Sequence, residues 1–206
     1  RSSTRSLILL PTRELAIQTQ ASLKLLASFT YIKSGLIIGG EAFKHQVATL
    51  RKNPEIIIAT PGRLVEHIEK GTTDFNDLEI LILDEADRML DMGFADEMHA
   101  ISKSCNKNRQ NLLFSATLNH RDFSQIKTMF KDPKLIKIDS ARQCPPQISQ
   151  QIILCDNKKH KEELTASLIN EEKVNKLFIF CKTRIQCEQL SNLFRYKKHR
   201  SSFIHG

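Results

Sequence analysis

The stretch Ile80-Leu81-Ile82-Leu83-Asp84-Glu85-Ala86-Asp87 decides how this chain is read. Four apolar residues in a row read as a buried strand, and carboxylates arrive at its end at positions 84, 85 and 87. In an open parallel α/β sheet, ligands bind just beyond the carboxyl ends of the strands. A strand ending in Asp-Glu therefore sets two negative charges where a nucleotide and its metal sit in such folds. Mg²⁺ takes oxygen ligands, often one carboxylate plus substrate phosphates. In nucleotide hydrolases an Asp at this place holds the metal, and a neighbouring polar residue orients the attacking water. On this pattern Asp84 takes the metal and Glu85 the water. The plainer alternative is that Asp84 or Asp87 caps a following helix. The local pattern leaves both open.

Outward from this stretch, short apolar runs alternate with helical patterns. Ser6–Leu10 reads as a strand closed by Pro11, and Thr12 can cap a helix carrying Ile17, Ala21 and Leu25 at helical spacing. Lys33–Ile38 is a second strand, closed by Gly39-Gly40, with a helix over 42–51. Ile56–Ala59 is a third. Thr60-Pro61 then opens a helix, with a capping Thr and Pro at the first helical position. After the Ile80–Leu83 strand come a helix near 93–103, a strand Leu112–Phe114, a helix near 121–130 and a closing strand Leu135–Ile138. Such alternation means βαβ units and a parallel sheet. The pattern pauses at Ser140–Gln147, where two prolines without apolar periodicity suggest a linker. Ile148–Leu154, Leu177–Phe180 and the run ending at Ile204 read as further strands. Lys158–Asn170 and Arg184 to about Phe194 read as helices. The expected organisation is a first domain over 1–140, a linker over 141–147 and the start of a second domain over 148–206.

The composition sets limits. No apolar run approaches the ~20 residues of a membrane span, and Arg1-Ser2-Ser3-Thr4-Arg5 leads directly into the first strand without a signal-peptide pattern. Cys105, Cys144, Cys155, Cys181 and Cys187 form no C-x-x-C pair and read as reduced thiols of a cytosolic protein. The formal charge is +8. Residues 1–140 hold 19 Lys+Arg and 17 Asp+Glu, net +2, while residues 141–206 hold 12 and 6, net +6. A basic excess suits a polyanion partner, and equally serves solubility.

Other motifs lie at the expected strand ends. Pro11-Thr12-Arg13-Glu14-Leu15-Ala16 marks a strand-to-helix turn, where free N–H groups and the helix dipole suit a phosphate. Arg13 in the first turn opposes that dipole, a conflict an anion would remove. Gly39-Gly40 either admits a nucleic-acid backbone closely or makes a turn. In Thr60-Pro61-Gly62-Arg63, capping explains the first two residues and leaves Gly62 and Arg63 to explain. Ser115-Ala116-Thr117 offers hydroxyls either to a neighbouring carboxylate or to a helix cap, for which Asn119 looks the better residue. Lys197-Lys198-His199-Arg200 reads as a solvated basic face.

Asp-Glu-Ala-Asp arises by chance in ~1% or fewer of chains this long at average residue usage. With PTRELA at 11–16, GG at 39–40, TPGR at 60–63, SAT at 115–117 and the LDEADRMLDMGF context at 83–94, the chain resembles the DEAD-box ATP-dependent RNA helicases in motif order and spacing. Leu177–Phe180 with Cys181-Lys182-Thr183 looks like the first motif of that family's second domain. Within the family it looks most similar to the bacterial ribosome-assembly branch. The resemblance implies two RecA-like domains that clamp RNA when ATP and Mg²⁺ are bound between them, in the cytoplasm, or the nucleolus of a eukaryote. It implies that Asp84 holds Mg²⁺ through water, that Glu85 positions or activates the attacking water, and that Asp87 bonds Ser115 and Thr117 to link hydrolysis to closure. It also implies that Pro11, Thr12, Arg13, Gly39, Gly40, Thr60, Gly62 and Arg63 line the RNA backbone path, a sequence-independent mode of contact.

One departure stands out. The 206 residues contain no G-x-x-x-x-G-K-[ST] phosphate loop. On that ground the first domain is expected to lack its phosphate-loop strand, the chain to be an internal fragment, and the fragment alone to be inactive. Two other readings remain beside the helicase: an RNA-binding or annealing module without turnover, and an interaction protein that kept the fold and lost the chemistry. Intact Asp84, Glu85, Ser115 and Thr117 favour the helicase over the last of these.

Overall fold

A computed structural model describes residues 3–117, 120–137, 149–170 and 176–205. The chain divides into two compact units, residues 1–136 and 137–206. The expected linker over 141–147, the Asn119 cap and Cys144 lie outside the described residues.

The first unit is a parallel α/β sheet. Its strands are β1 (Ser6–Leu9), β2 (Ser34–Ile37), β3 (Ile56–Ala59), β4 (Ile80–Leu83) and β5 (Gln110–Leu113), in the order β2-β3-β1-β4-β5. Every pairing is parallel and in step, with Leu9 opposite both Ala59 and Leu83. Side chains alternate across a strand, and the two faces are covered differently. Leu7, Leu9, Ile57, Ala59, Leu81 and Leu83 pack on one face with Leu64, Phe75, Met98 and Ile101. Leu64 comes from α3 (Pro61–Glu69), and Met98 and Ile101 from α5 (Ala95–Ser104). Ile8, Leu36, Ile56 and Ile58 face the other way, against Ala16 of α1 (Arg13–Leu26). Burial on both faces is why these strands read as continuous apolar runs.

The crossovers begin as their sequences dictate, with two exceptions. Thr12 caps α1 through its hydroxyl, which accepts from the Leu15 amide at 3.4 Å. Thr60 stands at the cap position of α3, followed by Pro61, but its side chain makes no capping hydrogen bond. The helix expected near 93–103 is α5, and a further short helix not read from the sequence precedes it. α4 (Ala86–Asp91) follows α2 (Phe43–Leu50) and α3 in the series, and α5 starts only after Gly93, which turns the chain at φ +84°. A residue without Cβ adopts that angle at no steric cost. The helix near 121–130 is α6 (His120–Ile126) continued by a short 3₁₀ turn at Lys127–Met129. The closing strand expected from Leu135 is not formed over 135–137, and Ile138 lies outside the described residues.

The second unit holds α7 (Lys158–Ile169) and α8 (Arg184–Tyr196), capped by the side chains of Asn157 and Thr183. The strands expected at 148–154, at 177–180 and near 204 are not formed among the described residues. Phe178 and Phe180 are 83% and 96% exposed. A parallel strand exists only when a neighbour supplies its hydrogen-bond ladder, so apolar content alone does not make one here. Among the described residues no helix is long and apolar enough to cross a membrane, and Cys105, Cys155, Cys181 and Cys187 are free thiols.

Candidate functional site

Because all five strands run the same way, their carboxyl ends form one edge. The backbone there is stitched from strand to strand: the Thr60 amide donates to the Ile37 carbonyl, Leu10 to Ala59, Asp84 to Leu9 and Phe114 to Leu83, at 2.8–3.0 Å. Every site residue named from the sequence lies on this edge or in the first turns after it. The strand order then sorts them. Gly39-Gly40 follows β2, Thr60–Arg63 follows β3 and Pro11–Arg13 follows β1, so these three segments are neighbours. Asp84, Glu85 and Asp87 follow β4, and Ser115 and Thr117 follow β5, adjacent on the other half.

On that second half, neither Asp84 nor Asp87 caps α4; the cap position is Glu85, without a side-chain capping bond. Asp84 keeps one carboxylate oxygen on the Glu85 amide at 3.0 Å. Glu85 has φ 50° and ψ 50°. A left-handed conformation costs a side-chain-bearing residue on the order of 1–2 kcal/mol. Its Oε2 is buried without a hydrogen bond, with the Arg88 guanidinium at 3.6 Å. A desolvated carboxylate oxygen held by a strained backbone has unused capacity to accept a proton or a water. Asp87 is saturated by contrast. Its Oδ1 accepts from the Arg88 amide at 3.1 Å, and its Oδ2 from the Thr117 amide at 3.1 Å and the Thr117 hydroxyl at 2.5 Å. Burial pushes the Asp87 carboxyl up. The Thr117 hydroxyl, the nearby Ser115 hydroxyl and the two amides outweigh it, and the group sits below the ordinary carboxylate range. The Ala86 amide adds a backbone tie to the Phe114 carbonyl at 3.1 Å.

Ser115 is the looser of the two: its Oγ is buried and near enough to favour the Asp87 charge but outside hydrogen-bond geometry, whereas Thr117 bonds Asp87 directly. The SAT hydroxyls thus split into one committed to Asp87 and one without a hydrogen bond. Among the described residues no three His, Cys, Asp or Glu side chains form a metal-holding group. The carboxylates of Asp84 and Glu85 offer hard oxygen donors suited to Mg²⁺, which commonly completes its shell with water and phosphate oxygens.

On the first half, Gly40 has φ +77°, and a Cβ there would run into the Arg13 guanidinium. The glycine is therefore needed for its turn, and the exposed Arg13 guanidinium, reaching over from the helix after β1, lies against it. Gly39 and Gly62 have open space where a Cβ would stand. Arg63 is largely buried: it donates to the Glu41 carbonyl at 3.2 Å, faces Glu66 at 3.5 Å and lies 5.9 Å over the Phe43 ring. Gln46 and His67, buried beneath this half, were not singled out from the sequence. The available signal was a Gln on the apolar stripe shared with Val47 and Leu50.

A DEAD/DEAH box helicase family model matches residues 1–126. The chain is 40% identical to the probable ATP-dependent RNA helicase ddx27 of Dictyostelium discoideum, over 98% of this chain and 26% of that protein. It is 35% identical to the ATP-dependent RNA helicase SrmB of Haemophilus influenzae, over 98% of this chain and 46% of that protein. Among solved structures, S. cerevisiae Dbp5 bound to RNA and ADP BeF3 covers all of the chain with 52% of its own, at 26% identity and a TM-score of 0.78. A DEAD box protein from Methanococcus jannaschii does so with 55% of its own, at 34% identity and a TM-score of 0.64. The chain thus spans between about a quarter and a half of the length of these relatives. With five parallel strands delivering Asp-Glu-Ala-Asp and Ser-Ala-Thr to adjacent positions, and a family model matching most of the chain, this protein belongs to the DEAD/DEAH box helicase family.

Proposed function

We propose that this chain is part of an ATP-dependent RNA helicase whose nucleotide chemistry and RNA contacts occupy opposite halves of one sheet edge. The observation that carries this reading is the strand order, which sorts the sequence motifs into two contiguous groups. After β4 and β5, Asp84 would hold Mg²⁺, and Glu85, with an oxygen free of hydrogen bonds, is placed to orient the attacking water. The metal, when bound, neutralises phosphate charge. Asp87, tied to Thr117, transmits the state of the nucleotide to the loop after β5. After β2, β3 and β1, Pro11, Thr12, Arg13, Gly39, Gly40, Thr60, Gly62 and Arg63 meet the sugar-phosphate backbone of RNA, a contact that carries no base code.

Residues 148–206 belong to a second RecA-like domain that closes on the first, and closure on a bent strand separates short duplexes locally. The biological setting is ribosome assembly or RNA remodelling in the cytoplasm, or the nucleolus in a eukaryote. The 206 residues by themselves, without a phosphate loop, turn over no ATP. A non-catalytic RNA-binding or annealing module is the second reading, favoured by that same missing loop.

The test is ATP hydrolysis by the full-length protein, with and without single-stranded RNA, in wild type and Glu85→Gln. RNA-stimulated turnover in wild type, lost in the variant while ATP still binds, supports the reading. Equal turnover in both would overturn the role of Glu85. RNA binding without any turnover in wild type would select the second reading.

A further inference from the structure

The Gly39-Gly40 loop and Arg63 come from different crossovers, and one buried network joins them. Gln46 of α2 is 1% exposed, and His67 of α3 is fully buried. The Gln46 amide nitrogen donates to the Ile38 carbonyl, immediately before Gly39, at 2.7 Å, and faces the Glu41 carboxylate at 3.5 Å. With two acceptors around the nitrogen, the amide orientation is settled and its oxygen turns to His67 Nε2 at 3.0 Å. An amide oxygen only accepts, so His67 must carry a proton on Nε2. Its Nδ1 lies 2.7 Å from the Thr72 hydroxyl. The imidazole stacks on Phe43, ring centroids 4.0 Å apart and 7° from parallel, and Arg63 lies over that same ring while holding the Glu41 carbonyl. From Ile38 through Gln46, His67, Phe43 and Arg63 to Glu41, the network closes around the loop.

We infer that Gln46 and His67 are positioning residues that lock the Gly39-Gly40 loop and Arg63 into one preformed RNA-facing surface. This rests on the reading of those segments as RNA contacts. Neither residue needs to touch RNA. A buried, hydrogen-bonded polar pair fixes geometry, and a preformed surface loses less ordering entropy on binding. Loss of the lock therefore weakens RNA binding without altering the chemistry at Glu85.

The experiment uses the full-length protein and a single-stranded RNA oligonucleotide. Gln46→Met keeps the volume and removes the hydrogen bonds to Ile38, Glu41 and His67. It is expected to raise the RNA Kd about tenfold and leave kcat at saturating RNA unchanged. In an Arg63→Gln background the same change is expected to cost about twofold or less, because coupled residues are not additive. His67→Gln, which retains a donor toward Gln46, is expected to bind RNA more tightly than His67→Leu. Hydrogen exchange of the protein without RNA supplies a readout independent of the RNA assignment. Segments 38–44 and 60–64 are expected to lose protection together in Gln46→Met, with β4 unaffected. Additive effects with Arg63→Gln, or loosening across the whole sheet, would overturn the inference. If wild type binds no RNA but the two segments still loosen together, the lock stands and the reading of the surface as an RNA site fails.

Discussion

Replacing Thr117 with Val tests how the Asp87 carboxylate is held. The change keeps the β-branched shape and deletes one donor. Asp87 is 8% exposed, and its Oδ2 has the Thr117 hydroxyl at 2.5 Å and the Thr117 amide at 3.1 Å. Hydrogen bonds to charged groups contribute about 1.5–3 kcal/mol. Thr117 itself is exposed, so water replaces part of the loss and the lower end applies, about 1.5 kcal/mol. With a urea slope of about 2 kcal/mol per molar, the unfolding midpoint of the first unit falls by roughly 0.7 M. The deficit depends on pH. Asp87 sits below its ordinary value of 3.8 in the fold. The stability it contributes is complete above that value and is lost as pH falls through the lower folded value. The wild-type advantage is therefore full at pH 7 and narrows below about pH 4. Ser115→Ala is the internal control. Its hydroxyl makes no hydrogen bond of good geometry and favours the Asp87 charge only from nearby, so removal should cost less than Thr117→Val does. Equal destabilisation by the two substitutions, or a Thr117→Val deficit independent of pH, would refute the account of this corner.

Two further expectations follow from geometry. Gly40→Ala meets both a positive φ and the Arg13 guanidinium and should cost more than about 1 kcal/mol, whereas Gly39→Ala, with open space and an ordinary φ, should be close to neutral; urea unfolding of the pair decides. His67 is held below its ordinary value of 6.5, first by burial and then by the Arg63 charge. The unfolded chain therefore binds that proton more tightly, so stability attributable to His67 is intact above pH 6.5 and declines as pH falls through it. Melting temperatures between pH 7.5 and 5.5 should show a slope that His67→Gln flattens.

The first unit was legible in the sequence because parallel strands buried on both faces must be apolar throughout, as Ile56-Ile57-Ile58-Ala59 and Ile80–Leu83 are. The helix entries at Thr12 and Thr60-Pro61 were legible for a local reason, the chemistry of the first turn. The second unit was misread at Leu177–Phe180, because apolar content says that a segment wants burial but not that a partner strand is present. The helix α4 was not read from the sequence, because its six residues are too few to show a helical repeat before Gly93 turns the chain at φ +84°.

By itself the sequence determined where the motifs lie and that each follows a strand, since spacing and residue type are local properties. Only the tertiary structure decided which of them meet. The order β2-β3-β1-β4-β5 is not the order of the chain. It sets Asp87 against Thr117, 30 residues away, and Gln46 against His67, 21 residues away. It also left the Ser115 hydroxyl and a Glu85 oxygen without a hydrogen bond. Contacts of this kind depend on how crossovers stack on a sheet, and no periodicity within one segment encodes them.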